Sequence, residues 1–315
     1  MIVIVATEIN LKSRGFYATH CLECRPMLST HAKGLLITAC GVLVVSLDGL
    51  LTRLITTDHW TMIFWRALLL AFSMCLLVNL VYPNRAWQQY LSLKVPGLLM
   101  SLCYSLSTIT FVYAITHTSV ANTLIILSTT PLFAAIIGHF LLKEKIAVRT
   151  LVAIAVVTLG LAVIASDSEG RGNLVGDLMA VLGSFFLACG FSFVRRYPRI
   201  SSYSAISCSG LLTALMMLPL AAPLSVSQAD MGYLMIMGLY MLPIGVALMF
   251  IGPRYISAAE VGLLLLLESI LGPLWVWMVI GEEPGMRSLL GGAIVISTLA
   301  INAIWNLARP VVRTI

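Results

Sequence analysis

TSVANTLIILSTTPLFAAIIGHFLLKEK, residues 118–145, and ISAAEVGLLLLLESILGPLWVWMVIGEE, residues 256–283, align without a gap at a constant offset of 138. Ser119 falls on Ser257, Ala121 on Ala259 and Glu144 on Glu282. Each segment is an apolar run closed by charges, of the roughly 20-residue length an α-helix needs to cross the hydrocarbon core of a bilayer. The pair therefore points to a chain of membrane-spanning helices, and to a unit that occurs twice.

A second matched pair opens each half. Gly34, Thr38, Gly41, Val45, Asp48 and Thr52 form a stripe of mostly small or polar residues at helical spacing, and at offset 142 it meets Gly176, Ala180, Gly183, Leu187, Gly190 and Val194. At the same offset Arg53 lands on Arg195.

Working outward, apolar residues make up 60% of the chain and charged ones 10%, whereas a soluble domain carries about 45–50% and about 25%. Ten apolar runs are expected to span, at 34–53, 60–82, 95–114, 118–141, 147–165, 174–195, 203–222, 231–251, 257–280 and 288–307. Helix is the expected form, because lipid cannot satisfy exposed backbone groups and no barrel-like alternation is present. Pro96, Pro131, Pro243 and Pro273 predict kinks or local unwinding within these runs. The fold class expected is all-α integral membrane, ten helices in two five-helix repeats around a central cavity. The halves are 33–165 and 166–307, flanked by a disordered amino-terminal tail, 1–32, and a short tail, 308–315. Met27 is an alternative start for the same chain.

Lys and Arg orient the chain, since basic residues are retained on the cytoplasmic side. With the amino terminus inside, fifteen fall in cytoplasmic segments, and only Arg53, Arg171 and Arg287 fall outside; Arg66 lies within a span. Both termini are then cytoplasmic, in a membrane of bacterial inner-membrane type. Five spans is an odd number, so the second half enters upside down. The net charge of +6 serves this topology. It forms no contiguous basic face, and nucleic acid is not an expected partner. Cys40, Cys75, Cys103, Cys189 and Cys208 lie in apolar runs and read as packing residues. Cys21 and Cys24, near His20 and His31, are an isolated pair in the tail, and neither a metal nor a cofactor is assigned.

With its 118–145 passage ending in Lys143-Glu144-Lys145, its 256–283 counterpart ending in Glu282-Glu283, the glycine-started first and sixth helices and the Phe64-Trp65-Arg66 element, the sequence resembles the drug/metabolite transporter superfamily, specifically its EamA-type ten-helix members. The resemblance covers about residues 33–307 and is specific for the superfamily rather than for a substrate. It implies a basket of helices around a cavity lined by spans 1–4 and 6–9, and alternating access driven by a gradient or by exchange. No GxxxxGK[ST] phosphate loop is present.

Charge inside a bilayer is costly and marks candidate residues. Asp48 and Arg66 lie about six residues from the external ends of adjacent spans, at equal depth of roughly 9 Å by the ~1.5 Å rise of a helix. They suit either a fixed salt bridge or a gate coupled to substrate. Glu268 falls near mid-membrane amid leucines, as a candidate proton carrier or a buried neutral acid. Glu260 lies eight residues earlier, near the cytoplasmic end, within reach of water. Trp65, Tyr104 and Tyr240 are candidates for stacking on a planar solute, or packing residues. Asn122 is a secondary candidate opposite Glu260 in the repeat.

Enzyme chemistry finds little support: the five histidines are scattered and no HExxH occurs, so no catalytic set is assigned. The reading is a secondary transporter of a small organic metabolite, such as an amino acid or related compound, with lipid and solute as partners and proton coupling open. Direction of transport is open, and nothing decides between monomer and homodimer. A channel-like or structural membrane protein is the alternative.

Overall fold

The structure, a computed structural model, describes residues 30–142, 148–165, 173–197, 200–251 and 258–307. Residues 1–29 of the amino-terminal tail, the tail 308–315 and Glu144 lie outside these residues, as does the side chain of Glu260, and residues 30–32 of the expected tail begin the first helix. In the first half the described elements are α1 (Thr30–Val45), α2 (Asp48–Leu54), α3 (His59–Val81), α4 (Ala86–Leu91), α5 (Lys94–His117), α6 (Val120–Leu127), α7 (Thr130–Leu142) and α8 (Val148–Ala165). The second half has α9 (Leu174–Arg196), α10 (Ser202–Met217), α11 (Gln228–Met235), a π-helical turn (Ile236–Met241), α12 (Leu242–Ile251), α13 (Ala258–Ile280) and α14 (Met286–Leu307). All regular structure among the described residues is helical.

Among the described residues six stretches are long and apolar enough to cross a membrane: Ala32–Leu54, His59–Val81, Lys94–His117, Val120–Leu141, Leu174–Val194 and Gln228–Met249. Four shorter apolar helices accompany them, Leu151–Ile164, Ser202–Met217, Leu264–Ile280 and Met286–Asn302. The run expected at 203–222 stops at Met217, because Pro219 has no N–H for the Leu215 carbonyl.

Packing follows the repeat. α3 lies on α10, α6 on α13 and α8 on α14, each joining an element to its own counterpart. The remaining major interfaces come in exchanged pairs: α5 on α9 answers α12 on α1, and α6–α7 on α9 answers α1–α2 on α13. Single residues obey the same rule. A Cβ on Gly41 would stand 3.0 Å from the Gly245 carbonyl, and in the other half one on Gly183 would stand 3.0 Å from Thr110 Oγ1. Ser107 Oγ donates to the Gly183 carbonyl at 3.1 Å. Gly183 is the counterpart of Gly41 at offset 142, and Gly245 that of Ser107 at offset 138. The small-residue stripes are therefore the surfaces on which the halves close.

Three interruptions shape the interior. Pro131 has no N–H for the Leu127 carbonyl, and Thr130 Oγ1 donates to it instead at 2.6 Å. Ser128 and Thr129 likewise bond carbonyls three residues back, at 2.6 and 2.7 Å, so α6 and α7 separate here. Pro243 follows the π-helical turn, in which the Leu242 N–H reaches the Met237 carbonyl five residues back. Pro273 sits inside an unbroken α13, and Pro96 in the first turn of α5. The third interruption has no proline: α1 ends at Val45, Ser46 Oγ bonds the Leu43 carbonyl at 2.8 Å, and helix resumes at Asp48.

Candidate functional site

The break after α1 makes Asp48 the first residue of α2, where a carboxylate meets the positive end of a helix dipole. From α3, Arg66 reaches it with both terminal nitrogens, each hydrogen bond 2.7 Å long. Asp48 is 4% exposed and Arg66 6%. The guanidinium also lies 5.4 Å from the centre of the Phe111 ring, and its Nη1 is 3.6 Å from Met237 Sδ in the π-helical turn. That turn is held close to α3: a Cβ on Gly238 would stand 2.5 Å from Leu69 Cβ, and Ser73 Oγ donates to the Gly238 carbonyl at 3.2 Å. Arg66 Nε has no hydrogen-bond partner among the described residues.

The second half brings Glu268 to this pair. Glu268, Gly272 and Trp275 stand at i, i+4 and i+7 on one face of α13. Trp275 Nε1 donates to Ser46 Oγ at 3.1 Å, and a Cβ on Gly272 would lie 3.7 Å from the Ser46 carbonyl. That face of α13 is thus set against the break that presents Asp48. The half-buried Glu268 is within electrostatic range of both Asp48 and Arg66. Three ionisable side chains, two from one half and one from the other, share one interior region.

The other expected residues disperse. Trp65 turns away from Arg66, and its Nε1 donates to the Pro223 carbonyl at 3.1 Å. Tyr104 is 8% exposed, its ring against Gly190 and edge-on to Phe191 at 6.2 Å, and its hydroxyl has no partner among the described residues. Tyr240 is 63% exposed, in the π-helical turn whose Met237, Gly238 and Met241 are buried. Asn122 is buried in a different cluster near the start of α6. Its amide Nδ2 lies 3.4 Å from Asp177 Oδ1, Thr118 Oγ1 donates to that oxygen at 2.8 Å, and Ser288 Oγ donates to Asn122 Oδ1.

Asp177 was not singled out from the sequence. An acid in the first turn of a span looks solvated, and only its buried position, at 5% exposure, marks it. Among the described residues no group of three His, Cys, Asp or Glu side chains is placed to hold a metal ion.

Comparison with known proteins places this arrangement in context. A crystal structure of a protein that is 15% identical superposes over 89% of this chain and 100% of its own length, with a TM-score of 0.64, and shows the same fold. No curated protein matches the sequence. The family model described as the EamA-like transporter family matches twice, at residues 32–166 and 174–304, one copy on each half. The chain belongs to the EamA-like transporter family, and so to the membrane transporters of the drug/metabolite type.

Proposed function

We propose that the protein is a secondary active transporter of a small organic solute bearing an ammonium group, an amino acid or related compound, and that Asp48, Arg66 and Glu268 are its coupling centre. The observation that carries this reading is that the face of α13 bearing Glu268 packs on the Ser46 break that presents Asp48 to Arg66. With both acids ionised the cluster bears one net negative charge. In a bilayer interior that charge calls for a neutralising partner. Either a proton or a substrate ammonium group fills the role, and the two compete for it. Uptake of one is thereby linked to release of the other.

In this reading all ten apolar helices cross the membrane, both termini face the cytoplasm, and the second half is inverted relative to the first. The paired interfaces support it, since exchanging the conformations of two inverted halves alternates the open side. The bacterial inner membrane is the proposed location.

Counterflow in proteoliposomes tests the reading. Vesicles loaded with an amino acid, a nucleoside, a vitamin or a cationic drug are diluted into labelled solute. Saturable exchange of an ammonium-bearing solute is expected. Unsaturable ion flux without exchange of any organic solute replaces the carrier with a channel.

A further inference from the structure

At the end of the molecule where α2, α5 and α13 finish, three carboxylates of the second half accept hydrogen bonds from the first. Arg53, in the last turn of α2, donates from Nη2 to the Thr118 carbonyl at 2.6 Å and to Glu282 Oε1 at 3.3 Å. Its Nε lies 3.2 Å from Glu282 Oε2. The same Glu282 accepts the Val120 N–H at 3.3 Å. Asp230, at the start of α11, accepts the Thr56 N–H and hydroxyl at 3.0 Å each and the Thr57 hydroxyl at 2.7 Å. Asp177 accepts the Thr118 hydroxyl at 2.8 Å. All three acids belong to the second half and are more than nine-tenths buried; the donors named belong to the first half.

This chemistry differs from that of the glycine interfaces deeper in the protein. Those are dry contacts between helices, whereas charge-assisted bonds at helix ends can be replaced by water when the ends part. Beneath them lies Thr52, beside Arg53 in sequence and one turn from Asp48 along α2. It is 2% exposed and its hydroxyl has no partner among the described residues. Thr52 thus lies along α2 between the contacts of Arg53 and the charge cluster at Asp48.

We infer that Asp177, Asp230 and Glu282 form the external gate of the transporter, and that this structure is the state in which the gate is shut. Opening releases Arg53, Thr56, Thr57 and Thr118 from these acids together and exposes Thr52. The inference rests on the alternating-access reading above, with this end external.

The test reads accessibility before transport. Thr52→Cys is introduced into the full chain in right-side-out vesicles and labelled with a membrane-impermeant methanethiosulfonate, the unsubstituted chain serving as control for the native cysteines. Slow labelling from outside is expected. Adding Glu282→Gln or Asp230→Asn should raise the rate about tenfold, the population shift that loss of one charge-assisted contact brings. An unchanged rate in both, or labelling from the opposite face, overturns the gate.

A second arm does not depend on folding of the weakened variants. Arg53→Cys/Glu282→Cys, bridged by a short cleavable bis-thiol reagent, should lose counterflow and regain it on cleavage. Counterflow that persists in the bridged protein makes the contact a static staple and overturns the inference. If no form of the protein exchanges any solute, the transport reading fails, and the labelling rates still decide whether this end opens.

Discussion

Arg66 holds Asp48 through two hydrogen bonds of 2.7 Å in a region where both side chains are more than nine-tenths buried. The contact joins α3 to the first residue of α2, so it also fixes where the interrupted first span resumes. Removing one partner leaves an uncompensated charge against Phe111 and Met237.

Asp48→Asn and Arg66→Gln should therefore each lower stability by about 3–5 kcal/mol. The double variant should be more stable than either single one, because no unpaired charge remains. Thermal unfolding in detergent measures all three. A double variant as unstable as the sum of the singles would show that the pair is no unit.

Glu268→Gln removes the titratable member contributed by the second half while keeping its shape. The KM for solute counterflow should rise, because the cluster is then neutral, and the stimulation of uptake by a pH gradient should disappear. Stimulation that survives the substitution would strike Glu268 from the coupling centre.

Tyr104 presents a buried hydroxyl without a partner among the described residues, so Tyr104→Phe should change stability by less than about 1 kcal/mol. If that hydroxyl meets the solute, KM for counterflow should rise about fivefold, the worth of one hydrogen bond. The concentration dependence of exchange decides it, and an unchanged KM assigns the residue to packing.

Gly291→Ala is the contrasting case. Its new Cβ would stand 2.7 Å from the Gly160 carbonyl and 3.2 Å from the Ile164 nitrogen, both backbone atoms that cannot yield locally. Overpacking of this kind costs about 1–3 kcal/mol. The melting temperature should fall with KM unchanged, because α14 and α8 pack on each other away from the Asp48–Arg66 pair.

The repeat carries one further expectation, from sequence positions alone. Arg53 and Glu282 correspond to Arg195 and Glu144 at offsets of 142 and 138. If the halves exchange conformations, Arg195→Cys and Glu144→Cys should cross-link faster in the protein whose external contacts are weakened by Glu282→Gln. Equal rates in both backgrounds would break the symmetry argument.

The sequence by itself determined the elements that local physics controls. Lipid demands long apolar helices whatever they pack against, so run length located the helices, and Pro131 and Pro243 mark interruptions because a missing N–H acts on its own turn. Duplication was legible for the same reason, as a pattern along the chain. Asp48, Arg66 and Glu268 stood out because charge is rare in such runs. Tertiary structure alone decided what those charges meet. The break at Ser46 carries no proline, and Asp177 and Asp230 look solvated until donors from the opposite half surround them. Each of these depends on partners far apart in the chain, and no local rule of spacing or composition records which side chain a distant helix will present.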